Sequence, residues 1–152
     1  MMRICCYTCF NYAYLGRART LLATLRVAHP DWKVCAVIVD EPPYDEPEAG
    51  LLAGFDVVLG LRDLGIPRVR AWLFKHDVVE ACTAVKAAAM LRLMDAGYDA
   101  VVYLDPDIAV FHPLDPVMAA LDHAAIVLTP HQTSPNRNYQ VMVDNELTSM
   151  RC

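Results

Sequence analysis

Hydrophobic residues occur along this chain as short continuous runs that alternate with stretches of helical period. The continuous runs cover residues 3–10, 34–39, 55–59, 100–104 and 124–128. Residues 14–29 repeat their apolar positions with the period of an amphipathic helix, which ends before Pro30. The apolar side of this helix consists of Leu15, Ala18, Leu21, Leu22 and Leu25. Apolar strands separated by helices are typical of parallel sheets covered on both faces, so the pattern predicts an α/β fold with a mostly parallel sheet flanked by helices.

The remaining stretches predict the connecting elements. Residues 67–96 are expected to be mainly helical, as two helices that meet near residues 81–83, with Gly97 ending the second. Residues 42–50 are acidic and rich in proline, which predicts a surface loop, while residues 108–111 predict a short extended piece. Residues 113–121 predict a short helix. The pattern becomes polar after Thr129 and stops at Cys152 without a closing element, which we interpret as a truncation at the C-terminus.

Composition narrows the class of protein. The 152 residues are 56% hydrophobic and 20% charged, which favours one folded domain over a disordered chain. The formal net charge of -5 provides no basic footprint for nucleic acid. No apolar run approaches the roughly 18 residues of a membrane span, and the first ten residues resemble a strand more than a signal peptide. We therefore expect a cytoplasmic protein without a transmembrane segment.

Six cysteines occupy positions 5, 6, 9, 35, 82 and 152. Cys6 and Cys9 form a CxxC pair, a spacing that also occurs at redox and zinc sites. This pair lies inside an apolar strand, and the chain has neither a second CxxC nor a histidine pair at ligand spacing. Because the cytosol keeps thiols reduced and free cysteine is commonly buried, we expect these residues to pack in the core.

Polar side chains follow most of the predicted strands. In open parallel α/β sheets, ligands bind beyond the carboxyl ends of the strands. The polar residues at those ends are Asn11, Tyr12, Asp40, Asp105, Asp107 and His131. The sequence therefore predicts a ligand site along this edge of the sheet. His131 is either a ligand contact or an ordinary histidine of a surface loop.

Asp105 and Asp107 are the most informative of these residues. Two carboxylates this close repel one another, and a divalent cation such as Mg²⁺ or Mn²⁺ removes that cost. Such sites use one or two carboxylates and complete the coordination with phosphate oxygens and water. Asp-Pro-Asp is also good chemistry for a solvated turn, but its place between two apolar segments favours the metal site. Lys86, among small apolar residues, could present its ammonium to a phosphate or remain an ordinary solvated lysine.

The segment Tyr103-Leu104-Asp105-Pro106-Asp107-Ile108-Ala109-Val110-Phe111 resembles the DxD segment of glycosyltransferases with the Rossmann-like GT-A fold. It is most similar to the family-eight type, the relatives of glycogenin and bacterial lipopolysaccharide galactosyltransferases. The resemblance covers residues 3–131. It implies that Asp107 ligates Mn²⁺ or Mg²⁺, and that Asp105 contacts the ribose or shares the metal.

The same resemblance implies further contacts to a nucleotide-diphospho-sugar. Thr8, Asn11 and Tyr12 at the end of the first strand would touch the nucleotide, and Asp40 would lie near the base or ribose. A basic residue of the family corresponds to the region of Lys86. A third metal ligand, usually a histidine, comes later in that family, and His131 is the residue here that could replace it.

These features predict a metal-dependent glycosyltransferase. Residues 1–131 would bind the nucleotide-sugar, and residues 132–152 would be a loop or the truncated start of an acceptor-binding segment. The acceptor, whether saccharide, lipid-linked or protein, is not indicated. One alternative is a phosphatase of the haloacid dehalogenase type with Asp105 as nucleophile, although that motif usually lies on the first strand and continues into Thr or Gly. Another is a nucleotide-binding fragment without catalysis.

Overall fold

The computed structural model describes residues 2–40, 48–130, 134 and 138–149. The chain divides into two compact units, Met1–Pro113 and Leu114–Cys152. The strands are β1 (Ile4–Phe10), β2 (Lys33–Ile38), β3 (Val57–Gly60) and β4 (Ala100–Tyr103). The α-helices are α1 (Leu15–Ala28), α2 (Glu48–Leu51), α3 (Val69–Leu73), α4 (Val78–Ala84), α5 (Lys86–Asp95), α6 (Asp115–Ala120) and α7 (Tyr139–Ser149). A 3-10 turn over Tyr12–Tyr14 leads from β1 into α1.

The four strands form one parallel sheet in the order β3-β2-β1-β4. The predicted α/β class and parallel sheet are therefore confirmed. β1 and β2 pair from Cys5 opposite Lys33 to Phe10 opposite Ile38. The strand order reverses at β1, because β2 and β3 extend to one side and β4 lies on the other. In open α/β sheets, this reversal opens a crevice at the carboxyl ends of the two strands that flank it.

Both faces of the sheet carry an apolar core. One core cluster joins strand residues to α4 and α5, and it consists of Cys5, Tyr7, Cys9, Cys35, Val37, Val39, Leu59, Leu61, Ala81, Val85, Ala89 and Leu93. A second cluster joins the ends of β1 and β2 to α1 and α2, and it consists of Phe10, Tyr12, Leu15, Ala18, Ala36, Ile38 and Leu52. The predicted apolar side of α1 is confirmed, since all five of its residues are buried.

Asp56 holds together the edge of the sheet where β2 and β3 begin. Its carboxylate accepts hydrogen bonds from the backbone N–H of Val34 at 2.8 Å and from Lys33 Nζ at 3.0 Å, and it also pairs with Arg26. Burial by itself raises the pKa of this carboxyl, but the hydrogen bonds from Val34, Arg26 and Lys33 outweigh burial and lower it. Asp56 is therefore a structural acid at the edge opposite the predicted ligand site.

The region 67–96 contains three helices where two were predicted. Asp77 begins α4 with a capping box, because its side chain accepts from the backbone N–H of Glu80 and the Glu80 side chain accepts from the backbone N–H of Asp77. The break before α5 falls at Val85, just beyond the predicted range 81–83. Gly97 ends α5 as predicted, with a φ of 85° that an L side chain rarely adopts.

Residues 124–128 were predicted to be a buried strand, and this prediction is wrong. They form no strand, and Ile126 and Leu128 are 74% and 82% exposed. A strand requires a partner for its backbone groups, and the apolar character of a short run carries no information about such a partner.

Two other predicted segments have mixed outcomes. Within the predicted loop 42–50, residues 48–50 belong to α2, and residues 41–47 lie outside the described part. Residues 108–111 belong to none of the described strands and lie against α1, where the backbone N–H of Val110 donates to Thr24 Oγ1 at 3.0 Å.

The expected burial of the cysteines is confirmed at four positions. Cys5, Cys6, Cys9 and Cys35 are buried free thiols, and Cys82 is a partly buried free thiol. Burial raises the pKa of Cys9 to about 12, so its thiol stays protonated at neutral pH. The predicted core role of Cys152 concerns a residue outside the described part.

Candidate functional site

The predicted acidic pair lies directly after β4, beside the end of β1. The backbone N–H of Leu104 donates to the carbonyl of Tyr7 at 3.2 Å, so pairing with β1 continues to the residue before Asp105. A turn then forms as the backbone N–H of Ile108 donates to the carbonyl of Asp105 at 3.1 Å. The side chains of Asp105 and Asp107 are each 55% exposed. The pair is therefore both a turn and an accessible acidic site at the point where strand order reverses.

Lys86, the first residue of α5, approaches this pair from the core side. Its Nζ lies 3.4 Å from Asp105 Oδ1 and 4.2 Å from the centroid of the Tyr103 ring. The Tyr7 hydroxyl donates to the carbonyl of Lys86 at 2.9 Å, and the rings of Tyr7 and Tyr103 are 5.1 Å apart. The two tyrosines thus fix where α5 begins and where the lysine points.

Tyr103 also holds Asp105 directly. Its hydroxyl donates to Asp105 Oδ1 at 2.5 Å. Burial, and then the hydrogen bond to Asp105, raise the pKa of the Tyr103 hydroxyl, which therefore remains a donor throughout the physiological range. One oxygen of Asp105 is consequently oriented by two donors, the phenol and the Lys86 ammonium.

Asp107 faces a second cation. The Arg17 guanidinium on α1 lies 4.0 Å from Asp107 Oδ2 and 4.7 Å from the centroid of the Tyr14 ring. A cavity of about 260 Å³ lies between Arg17 and Thr20 on one side and residues 107–109 on the other. Each carboxylate of the pair therefore has its own cationic neighbour, Lys86 for Asp105 and Arg17 for Asp107.

Asp40 connects the ends of β1 and β2. Both of its carboxylate oxygens accept from the backbone N–H of Tyr12, at 3.2 and 3.0 Å. Partial desolvation raises the pKa of the Asp40 carboxyl, although the hydrogen bond from Tyr12 acts in the opposite direction. The structure thus brings together two of the residues that the family resemblance implied as nucleotide contacts.

Asn11 and Thr8 each carry a buried oxygen without a hydrogen-bond partner in the described residues: Asn11 Oδ1 and Thr8 Oγ1. Asn11 is half-buried at the end of β1, and its oxygen is closed to solvent. Thr8 is only 1% exposed and lies within β1. It is therefore further from the open edge than the resemblance implied for a nucleotide contact.

The acidic pair alone supplies too few groups to complete the coordination of a metal ion, so most of the coordinating oxygens would have to come from a diphosphate and water. Among the described residues, no group of three or more His, Cys, Asp or Glu side chains is arranged to hold an ion. Two accessible carboxylates suit Mg²⁺ or Mn²⁺ when diphosphate oxygens and water supply the other positions. His131, the suggested third ligand, lies outside the described residues.

Sequence reasoning missed the parts that Tyr7, Tyr103 and Arg17 play here. Tyr7 and Tyr103 are register partners on β1 and β4, and register between strands distant in sequence is not readable from the chain. Arg17 lies in α1 outside the predicted apolar side of that helix. The helical period places Arg17 on α1, but it does not show which distant residue the side chain contacts, and the contact with Asp107 was therefore not predicted.

Compared with protein-family models and with curated protein sequences, the chain gives no match. Within the described residues, every helix is too short or too polar to cross a membrane.

Proposed function

We propose that this chain is the nucleotide-binding part of a metal-dependent glycosyltransferase that uses a nucleotide-diphospho-sugar donor and acts in the cytoplasm. One observation carries the proposal. Asp105 and Asp107 are accessible at the carboxyl end of β4, beside β1 where the strand order reverses, and each lies within 4.0 Å of a cationic side chain. This combination of acids and cations suits a bridged metal and diphosphate.

The acidic pair would hold Mn²⁺ or Mg²⁺, with Asp107 as the main ligand and Asp105 sharing it. When bound, the metal neutralises negative charge on the departing nucleoside diphosphate. Tyr103 keeps Asp105 oriented through its hydroxyl. Lys86 and Arg17 add positive charge at the same edge, which favours the diphosphate over a neutral ligand.

The nucleoside would lie toward β2. Asp40 is already oriented by the backbone N–H of Tyr12, and its carboxylate can accept from ribose hydroxyls or a base N–H. Asn11 Oδ1, at the end of β1, is a second acceptor that has no hydrogen-bond partner among the described residues. A ligand spanning from β4 to β2 would thus meet metal-binding groups at its diphosphate end and hydrogen-bond acceptors at its nucleoside end.

A screen of UDP-, GDP- and TDP-sugars by NMR, with and without Mn²⁺, tests this proposal. We expect one nucleotide to bind only with the metal and to shift resonances at the ends of β1, β2 and β4. Asp107→Asn should abolish the metal-dependent binding. Asp31→Asn is the matched control, because Asp31 is exposed at the opposite edge, just before β2 begins.

Other outcomes of the screen distinguish the alternatives. A phosphorylated Asp105 trapped from a phosphate ester would overturn the proposal in favour of the phosphatase. Metal-dependent binding without sugar transfer to any acceptor would identify a binding fragment. Binding that ignores both Mn²⁺ and the Asp107 substitution would contradict the role of the acidic pair.

A further inference from the structure

A larger cavity, of about 980 Å³, opens at the carboxyl ends of β2 and β3. Its charged lining consists of Arg62, Arg68, Arg70, Asp40 and Asp63. Three arginines therefore line one cavity in a chain whose formal net charge is -5. This concentration of positive charge is not accounted for by the acidic pair after β4.

The two carboxylates of the cavity are already engaged with backbone groups. Asp63 Oδ2 accepts from the backbone N–H of Gly60 at 2.7 Å, which closes the turn after β3. Asp40 accepts from the backbone N–H of Tyr12. Among the described residues, Arg62 and Arg68 form no ion pair. These two arginines can therefore pair with an anion that enters the cavity.

Arg68 occupies a backbone conformation that arginine does not favour. Its φ is 47° and its ψ 54°, in the left-handed region, at the residue before α3 begins. Its side chain makes no capping hydrogen bond to that helix. Glycine would adopt this conformation at lower cost, so the arginine is not explained by the turn itself. Arg68 instead belongs to the lining of the cavity.

The remainder of the lining is apolar. Ile38, Leu61 and Leu73 contribute to the wall beside the charged groups. The volume lies at the upper end of the roughly 300–1,000 Å³ that is typical of small-molecule sites. An apolar wall with a few convergent charged groups suits an organic ligand that carries an anionic end.

We propose that this cavity binds a small molecule through an anionic oxygen group, phosphate or carboxylate, held by Arg62 and Arg68 without a divalent metal. The guanidinium fork matches two oxygens of either group. The cavity shares Asp40 with the nucleoside end of the proposed donor site. Anion binding by the two arginines requires no metal, however, and does not rest on the glycosyltransferase function.

Pyrophosphate and citrate are suitable probes, titrated separately in EDTA at low salt and followed by NMR. The phosphate chemistry predicts that pyrophosphate shifts resonances in residues 60–73, and the carboxylate chemistry predicts the same for citrate. Added salt should weaken the binding, because the guanidinium groups are exposed. Binding of either probe at this position supports the site and shows which chemistry it prefers. Absence of binding for both overturns it.

Arg68→Gly separates binding from folding. Because glycine suits this backbone conformation, the variant should melt no lower than the unsubstituted chain, yet its affinity for the probe should fall about tenfold or more. Arg62→Gln should weaken binding similarly. Arg92→Gln removes the same charge from an exposed position in the last turn of α5, outside the cavity, and should leave affinity unchanged.

Anion binding in the cavity can be distinguished from metal-dependent nucleotide binding at the acidic pair. Asp107→Asn should retain binding of the probe in EDTA, even where it abolishes metal-dependent nucleotide binding. If Arg68→Gly and Arg62→Gln bind as tightly as the unsubstituted chain, or if binding requires Mn²⁺, the arginine cavity is not an independent anion site.

Discussion

Lys86 Nζ lies 3.4 Å from Asp105 Oδ1, although Lys86 begins α5 and Asp105 follows β4. The contact exists because the Tyr7 hydroxyl holds the carbonyl of Lys86 while the Tyr103 hydroxyl holds the carboxylate of Asp105. Register pairs on adjacent strands thus position the cation and the acid. This arrangement links the parallel sheet to the charge distribution of the site.

Lys86→Gln should weaken nucleoside diphosphate binding about tenfold or more, which corresponds to the loss of one hydrogen bond to a charged group. The fold should survive, since the lysine side chain is 33% exposed and the core contact belongs to its backbone carbonyl. Calorimetry with Mn²⁺ measures the affinity. Lys75→Gln, an exposed lysine after α3, is the control, and an equal loss in both variants would show that only general charge matters.

Tyr103→Phe should lower metal-dependent affinity while leaving most of the stability intact. The substitution retains the ring that packs against Tyr7 and removes the hydroxyl that orients Asp105. A hydrogen bond of this kind contributes about 1–3 kcal/mol, much of it offset here by solvation of an exposed carboxylate. Urea unfolding and nucleotide titration on the same samples check this. Unchanged affinity together with a large loss of stability would assign Tyr103 a purely structural role.

Asp56→Ala should lower the free energy of unfolding by about 2–3 kcal/mol, because it leaves Lys33 and the backbone N–H of Val34 without their acceptor and removes the ion pair with Arg26. The pKa of Asp56 is lowered on folding from its ordinary 3.8. Its stabilisation is therefore present above about pH 4 and is lost as the pH falls through the lowered value. Between pH 7 and pH 3, the difference between the urea midpoints of the two proteins should stay constant down to about pH 4 and should shrink below that pH. A constant difference across that range would contradict the assignment.

Asp40→Asn should bind nucleotide less well but unfold no more readily at pH 7. The asparagine oxygen can still accept from the backbone N–H of Tyr12, and the substitution removes a carboxylate whose pKa is raised by desolvation. A raised carboxyl pKa disfavours the folded state once the pH exceeds it, so this effect disappears in the variant. Thermal melts at pH 5 and pH 7 measure it. A clear drop in melting temperature at pH 7 would mean that the charge stabilises the fold.

The helices and strands could be predicted where the spacing of apolar residues along the sequence is enough to identify them. The buried residues of α1, such as Leu21 and Leu25, follow from helical spacing, and β1 and β2 follow from apolar runs that have a neighbour in the sheet. Ile126 belongs to a run of the same character, yet it is exposed because no described strand pairs with its segment. The local pattern shows which side chains an element can bury. Whether a neighbouring strand is present to pair with it depends on the rest of the chain.

The candidate site was predictable only in part, for a similar reason. Asp105, Asp107 and Asp40 were found because residues after buried strands collect at one edge of a parallel sheet. The contacts of Lys86 with Asp105 and of Arg17 with Asp107 depend on strand register and helix placement, which the sequence does not encode locally. The conformation of Arg68 was equally invisible, because Pro67-Arg68 carries no signal for a left-handed residue.

Calorimetric titration of UDP and GDP into the chain and its Asp107→Asn variant, with Mn²⁺ and with EDTA, tests the metal and diphosphate site most directly. We expect one nucleotide to bind the unsubstituted chain only when Mn²⁺ is present, and the variant to lose this dependence together with most of its affinity. Equal affinity in Mn²⁺ and EDTA, unchanged by the substitution, would contradict a metal and diphosphate site at Asp105 and Asp107.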